Sequence, residues 1–205
     1  MSYSNLNKYV SRHLIVLYVL FLLTGLSFFM WGSHLIKAEP EIVVITDTIP
    51  VYLDSTKTHQ MFLNDLAFFE SGQTVVDGKV VPGNYRKVNN LGYLGKYQFG
   101  RTTLKELKIK CSAQEFLDQP DLQEFAMDEH LRYNKKQLSE FIGQYQFTYY
   151  RGIFVTESGI LAAAHLGGAG SVKKFFKGGN IFKDGNGVPI TTYMREFGGY
   201  NLEFK

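Results

Sequence analysis

Through most of the chain the apolar positions recur at three- and four-residue intervals, the spacing of helices packed on a core. In residues 61–72, Phe62, Leu66 and Phe69 fall at i, i+4 and i+7, one face of a helix. Thr58 can cap its start, and Gly72 can end it in a left-handed conformation. Residues 74–81 set two β-branched runs on either side of Asp77-Gly78, the sequence of a two-residue type I′ turn, and predict a hairpin. Thr103-x-x-Glu106 and Ser112-x-x-Glu115 have the pattern of capping boxes and predict two short helices. Pro120 suits the first turn of a long helix reaching about Phe141, with Leu122, Phe125, Leu131, Leu138 and Phe141 among its apolar positions. On that helix His130, between Glu129 and Arg132, reads as a partly exposed polar residue. Thr156 precedes a small-residue helix at 160–166 that Gly167-Gly168 stops. Ser171 can cap another at 172–176, and Pro189 opens a last one at 190–197. The dense aromatics of 145–154 read as packing between helices. The fold expected of residues 58–205 is mainly α, an α+β domain with one small β-hairpin.

Ahead of that domain the pattern changes. Residues 14–32 carry no formal charge, and the apolar character resumes at Leu35 and Ile36, so 14–36 is long enough to cross a bilayer as a helix. Lys8 and Arg12 precede it, while Glu39 and Glu41 follow soon after Lys37. The positive-inside rule then places residues 1–13 in the cytoplasm and the domain outside, with Trp31 at the far interface and 37–57 as a linker. A cleaved signal peptide with Ala38 as the last residue removed is the alternative, and either arrangement exports the domain.

Composition narrows the function. A chain of 205 residues with 45% hydrophobic content suits one domain plus an appendage, and a net charge of +3 is too small to argue for a nucleic-acid partner. Cys111 is the only cysteine, so no intrachain disulfide and no multi-cysteine metal site can form. Asp184-Gly185-Asn186-Gly187 resembles the start of a calcium loop but lacks the later ligands and the bidentate Glu, and reads as a turn. Asp77 is accounted for by its turn. No metal or cofactor is expected.

Glu70 carries the candidate chemistry. It sits in the last turn of the first helix, where the helix dipole disfavours a negative charge, beside Phe68 and Phe69. A lone acid there is ordinarily a solvated helix end, but the segments downstream of Glu70 change that reading. Gly92, Tyr93, Gly95, Tyr97, Gln98 and Gly100 make a poor core element and a good loop for lining a polar ligand. Glu70-Ser71 and Gly92-x-x-Gly95-x-x-Gln98 are followed by Ala163-Ala164-His165-Leu166-Gly167-Gly168 and Thr191-Thr192-Tyr193-Met194. In that order these resemble the four motifs of the lytic transglycosylase branch of the lysozyme-like superfamily, over roughly residues 57–200. Two departures stand out: His165 occupies the place of the family's Asn, and the Glu that opens the fourth motif is absent.

The resemblance implies a lysozyme-like fold and cleavage of the β-1,4 bond between N-acetylmuramic acid and N-acetylglucosamine in peptidoglycan. Glu70 would serve first as acid, then as base. Ser71, Gly95, Tyr97, Gln98, His165 and Tyr193 would lie on the substrate side, Ser71 orienting the acid or the acetamido group and Tyr193 approaching Glu70. The absence of a convincing second carboxylate argues against two-acid mechanisms. A hydrolytic muramidase of the same fold, a non-catalytic peptidoglycan-binding module and a purely structural membrane protein are the competing readings.

Overall fold

A computed structural model of the chain describes residues 56–204. The cytoplasmic segment, the membrane-spanning helix and nearly all of the linker expected from the sequence lie outside the described residues. Among those residues no helix is long and apolar enough to cross a membrane.

The described part is mainly helical with two small antiparallel hairpins, one more than expected. In chain order it runs α1 (His59–Ser71), β1 (Gln73–Val76), β2 (Lys79–Pro82), α2 (Arg101–Glu106), α3 (Ala113–Asp118), α4 (Pro120–Tyr145), β3 (Tyr149–Tyr150), β4 (Ile153–Phe154), α5 (Glu157–Phe176) and α6 (Ile190–Glu196).

The start and end of α1 follow from its sequence. The Thr58 hydroxyl accepts the Met61 N–H at 3.3 Å, and Gly72 leaves the helix at φ 81°. Phe62 and Leu66 are fully buried, but Phe68 and Phe69 are 55% and 48% exposed, so the buried face closes one turn earlier than the spacing predicts. Phe69 instead sits edge-on against Tyr193 and Phe197, with ring centroids 5.2 and 5.6 Å away. In the first hairpin Val76 pairs with Lys79, leaving Asp77 and Gly78 alone in the turn at φ 49° and 74°, as type I′ geometry requires. The second hairpin turns on Arg151 and Gly152 at φ 50° and 75°. Its strands are two residues each, too short for any alternation to register, and Arg is an uncommon occupant of that position. The Arg151 guanidinium is tied down by donating to the Gly179 carbonyl at 2.9 Å.

Of the two expected capping boxes, the one at Ser112 and Glu115 forms with both of its hydrogen bonds. Thr103 caps nothing, because the chain enters α2 directly after Gly100 and Thr103 already lies inside the helix. Pro120 opens α4, which continues about one turn past Phe141. Its buried face includes Gln123, His130 and Asn134, whereas Phe125 is 55% exposed. His130, expected to be partly exposed, is therefore interior. α5 spans the two short helices read from the sequence and is broken between them at Gly168 (φ 75°, ψ 158°), where the glycine pair places the stop. Its first half, with Ile160, Leu161 and Ala162 to Ala164 fully buried, packs against both α4 and α6. The small side chains let those backbones approach: a Cβ on Gly159 would lie 2.4 Å from the Met194 carbonyl oxygen.

Of the aromatics of 145–154, Tyr145 and Tyr150 are packed as expected, whereas Phe147 and Tyr149 are exposed. Tyr145 stacks on Phe176 at 4.4 Å, and the Tyr150 hydroxyl donates to the Phe176 carbonyl at 2.9 Å.

Candidate active site

Glu70 stands at the end of α1 with its side chain 14% exposed. The Tyr193 hydroxyl, delivered by α6 from 123 residues away, donates to its Oε1 at 2.7 Å. Burial, then the Glu70 charge and this hydrogen bond, then the charge of Asp184, push the Tyr193 phenol far above its ordinary range. It is a fixed donor. His165, on α5 just before the break, has its Nε2 3.7 Å from the same carboxylate oxygen and 2.9 Å from the Tyr97 carbonyl. A carbonyl only accepts, so Nε2 carries the proton there.

The loop after Gly92 supplies the rest. Leu94 and Phe99 exchange backbone hydrogen bonds at 2.9 and 2.8 Å, pinching residues 95–98 into a tight turn. Gly95 and Gln98 both take left-handed conformations, at φ 75° and 51°. The Gln98 amide then folds back and donates to the Gly95 carbonyl at 2.7 Å, which holds its side chain in place while its Oε1 keeps no protein partner among the described residues.

Glu70, Tyr193, Gln98 and His165 line one cleft of about 270 Å³, with Phe69, Leu91 and Tyr93 on its walls. A second cleft of about 530 Å³ shares Tyr93, Gln98, His165 and Leu166 with the first, so the two form a groove that runs on past the carboxylate.

Three of the residues implied for the substrate side do other work. The Ser71 hydroxyl donates to the Lys96 carbonyl at 2.7 Å and accepts the Asn84 N–H at 2.8 Å, so it stitches α1 to two loops and has no proton left for a sugar. Gly95 is required by packing inside the protein, since a Cβ there would lie 2.0 Å from Gln123 Oε1. The Tyr97 side chain is fully buried and donates its hydroxyl to Glu124 Oε2 at 2.8 Å; only its carbonyl reaches the site, through His165.

The structure also places in the groove residues that the sequence did not nominate for the site. Asp184 forms the turn read from the sequence, its Oδ1 accepting the N–H groups of Asn186 at 3.0 Å and Val188 at 2.7 Å. That turn nevertheless stands on the wall of the Glu70 cleft, so a second carboxylate is present. His130 and Asn134 line the larger cleft. No local pattern marks either, because α4 and the 184–188 turn reach the groove only through the way the helices pack.

No protein-family model, curated protein or solved structure matches this chain. The chemistry therefore rests on the groove itself. It offers one shielded carboxylic group with one oxygen fixed by a permanent donor, no protein hydrogen bond to Glu70 Oε2 among the described residues, and polar side chains along an open channel. Among the described residues no cluster of His, Cys, Asp and Glu is arranged to hold a metal.

Proposed function

We propose that this chain is a peptidoglycan lytic transglycosylase of lysozyme-like fold, acting on the β-1,4 bond between N-acetylmuramic acid and N-acetylglucosamine. The observation that carries the reading is the Tyr193 hydroxyl on Glu70 Oε1 at 2.7 Å, in a groove that also presents Gln98 and His165. Residues drawn from four separate motifs of the sequence line one cleft, and two of them, Tyr193 and His165, approach its carboxyl group.

A glycosidic oxygen leaves readily only when protonated. Glu70 gives its proton to that oxygen as the C1–O bond breaks, and the substrate's own N-acetyl group supports the developing charge at C1. Glu70, now ionised, takes the proton of the C6 hydroxyl as the C6 oxygen bonds to C1. The proton returns to the carboxylate, no water is consumed, and the product is a 1,6-anhydro sugar. Tyr193 stabilises the ionised form of Glu70 between the two steps, and Gln98 and His165 hold the sugars. Export of the domain, either anchored through residues 14–36 or released after Ala38, would bring it to this polymer.

The test is mass spectrometry of muropeptides released from purified peptidoglycan by the full-length chain. Products lighter by one water than muramidase products support the reading, and an untouched polymer overturns it. One observation favours a hydrolytic muramidase as the second reading: Asp184 shares the cleft with Glu70 and could direct a water. Products with ordinary reducing ends would select it.

A further inference from the structure

Another face of the domain carries positive charge that no described part of the protein uses. Arg101, Lys105, Lys108 and Lys110 line one cavity of about 420 Å³, which shares no lining residue with either cleft of the groove. All four are exposed, and among the described residues none of their side chains has an ion pair or a hydrogen bond. The whole chain has a net charge of only +3, so this concentration of cations is local.

The backbone gathers them. Arg101, Leu104 and Lys105 share the cavity side of α2, while Thr103 and Glu106 turn to the other side and line the larger cleft, which points the helix's acid away from the cations. Lys108 then ends the turn at φ 60°, a left-handed conformation that glycine adopts at less cost, its N–H donating to the Lys105 carbonyl at 3.0 Å. The Ile109 N–H donates to the Leu104 carbonyl at 2.9 Å, and this reversal sets residues 109–113 against α2. Glu115, the next acid along the chain, has its carboxylate engaged by the Ser112 N–H in the capping box.

Between the cations the lining is mostly apolar. Ile109, Cys111 and Ala113 are half-buried, so a molecule entering the cavity can touch their side chains. An apolar depression ringed by unpaired cations matches a molecule with an anionic head and hydrocarbon behind it. A small anion or a polyanion without an apolar part leaves the depression uncovered, and a neutral lipid leaves the cations unpaired.

We propose that this cavity docks an anionic phospholipid of a bilayer surface, the phosphate held by Arg101, Lys105, Lys108 and Lys110 and the start of an acyl chain resting on Ile109, Cys111 and Ala113. The stretch at 14–36, read from the sequence as a membrane anchor, would make even weak docking effective by raising the local concentration of lipid. The site is independent of Glu70 and of the cleavage reading.

Cys111, the only cysteine of the chain, reports occupancy from inside the cavity. The full-length chain in dodecylmaltoside micelles is alkylated with N-ethylmaleimide in the presence of phosphatidylglycerol, of phosphatidylcholine, or of glycerol phosphate, an anionic head without a tail. Phosphatidylglycerol should slow the reaction about fivefold or more, and the other two should leave it unchanged. Salt at about 1 M, where the screening length is about 3 Å, should remove the protection. Lys105→Gln and Lys110→Gln, both surface changes, should each weaken the phosphatidylglycerol effect about fivefold. Backbone amide NMR of residues 108–113 follows the same titrations, so the answer does not depend on how fast Cys111 reacts. Equal effects of phosphatidylglycerol and phosphatidylcholine, an equally large effect of glycerol phosphate, or protection unchanged in both lysine variants overturns the lipid site. None of these outcomes bears on peptidoglycan cleavage, which is measured separately.

Discussion

Two polar clusters lie on either side of the short turn at residues 95–98, and they differ in one respect. On one side Lys96, only 6% exposed, pairs with Glu124 Oε1 at 2.8 Å, while Tyr85 and Tyr97 donate to the two Glu124 oxygens at 2.7 and 2.8 Å. Each of these groups has its partner within the protein. Across the turn, Gln98, His165 and His130 keep atoms unmatched among the described residues, and among these residues Glu70 has a protein donor on only one of its two oxygens. Neighbouring residues of one turn thus serve a closed network and an open one. A buried polar network with every member satisfied holds structure together, and one left incomplete beside a channel is where a ligand has something to contribute. The difference also explains why Tyr97 and Gly95, close in sequence to a site residue, are not themselves part of the site.

The sharpest way to break this comparison is to disarm the open side. Glu70→Gln keeps the shape of the side chain and an acceptor for Tyr193 but has no proton to give. General acid catalysis contributes about 10²–10⁴-fold. With one group serving both steps, muropeptide release should fall toward or beyond the top of that range while the thermal midpoint stays near wild type. Retained turnover would remove Glu70 from the chemistry.

His130 gives the next largest effect, and it is one of stability. Its folded pKa of about 3 lies below its ordinary 6.5, so the unfolded chain takes up the proton first as pH falls. The stability is intact above about pH 6.5 and is lost progressively toward about pH 3, by up to ~5 kcal/mol. His59, also lowered chiefly by burial, acts with the same sign. Urea midpoints measured from pH 7 to pH 3.5 should fall steeply in wild type and less so in His130→Gln. Identical slopes would mean that His130 is not held neutral.

The closed side should respond in stability alone. Glu124→Ala leaves the Lys96 ammonium buried with two tyrosines, and breaking a buried pair in this way costs about 3–5 kcal/mol. The lower end is expected because the Glu124 side chain is 35% exposed and water can enter beside Lys96. Urea denaturation should report the loss, and activity per folded molecule below the melting transition should stay within about twofold of wild type. A selective fall in that activity would mean that the two clusters are coupled through the turn.

Tyr193→Phe sharpens the open side further. It removes one hydrogen bond to a charged group, worth about 1.5–3 kcal/mol, so kcat should drop by roughly tenfold to a hundredfold with KM little changed. An unchanged kcat would reduce Tyr193 to packing. Smallest of all, Asp77→Asn should alter stability by no more than about 0.5 kcal/mol and activity by less than twofold, since Asn-Gly suits a type I′ turn equally well. The first hairpin belongs to neither cluster, and none of its residues lines either cleft.

Features that depend only on neighbours along the chain were legible in the sequence. The Thr58 cap, the Ser112–Glu115 box, Pro120 at the start of α4, the Asp77-Gly78 turn, the break at Gly168 and the Asx turn of Asp184 are all set by side chains acting within a few residues of themselves. Glu70, which by its local surroundings alone reads as a solvated helix end, was nominated only through the segments that follow it. Tyr193, Gln98 and His165 were legible through the order of the motifs that carry them, with no local physical cause of their own. Which of the nominated side chains face the groove was decided only by packing. Ser71 adjoins Glu70 in sequence yet turns into the protein to meet Lys96 and Asn84, and Tyr97 points to Glu124 while its neighbour Gln98 points to the groove. His130, Asn134 and Asp184 carried no local mark of a site. They reach the groove because α4, α5 and the turn before α6 are brought together by the burial of apolar faces, which is insensitive to the polar residues those faces carry along. Hydrophobic burial sets the arrangement of the helices, and the polar atoms left unmatched by it define the site.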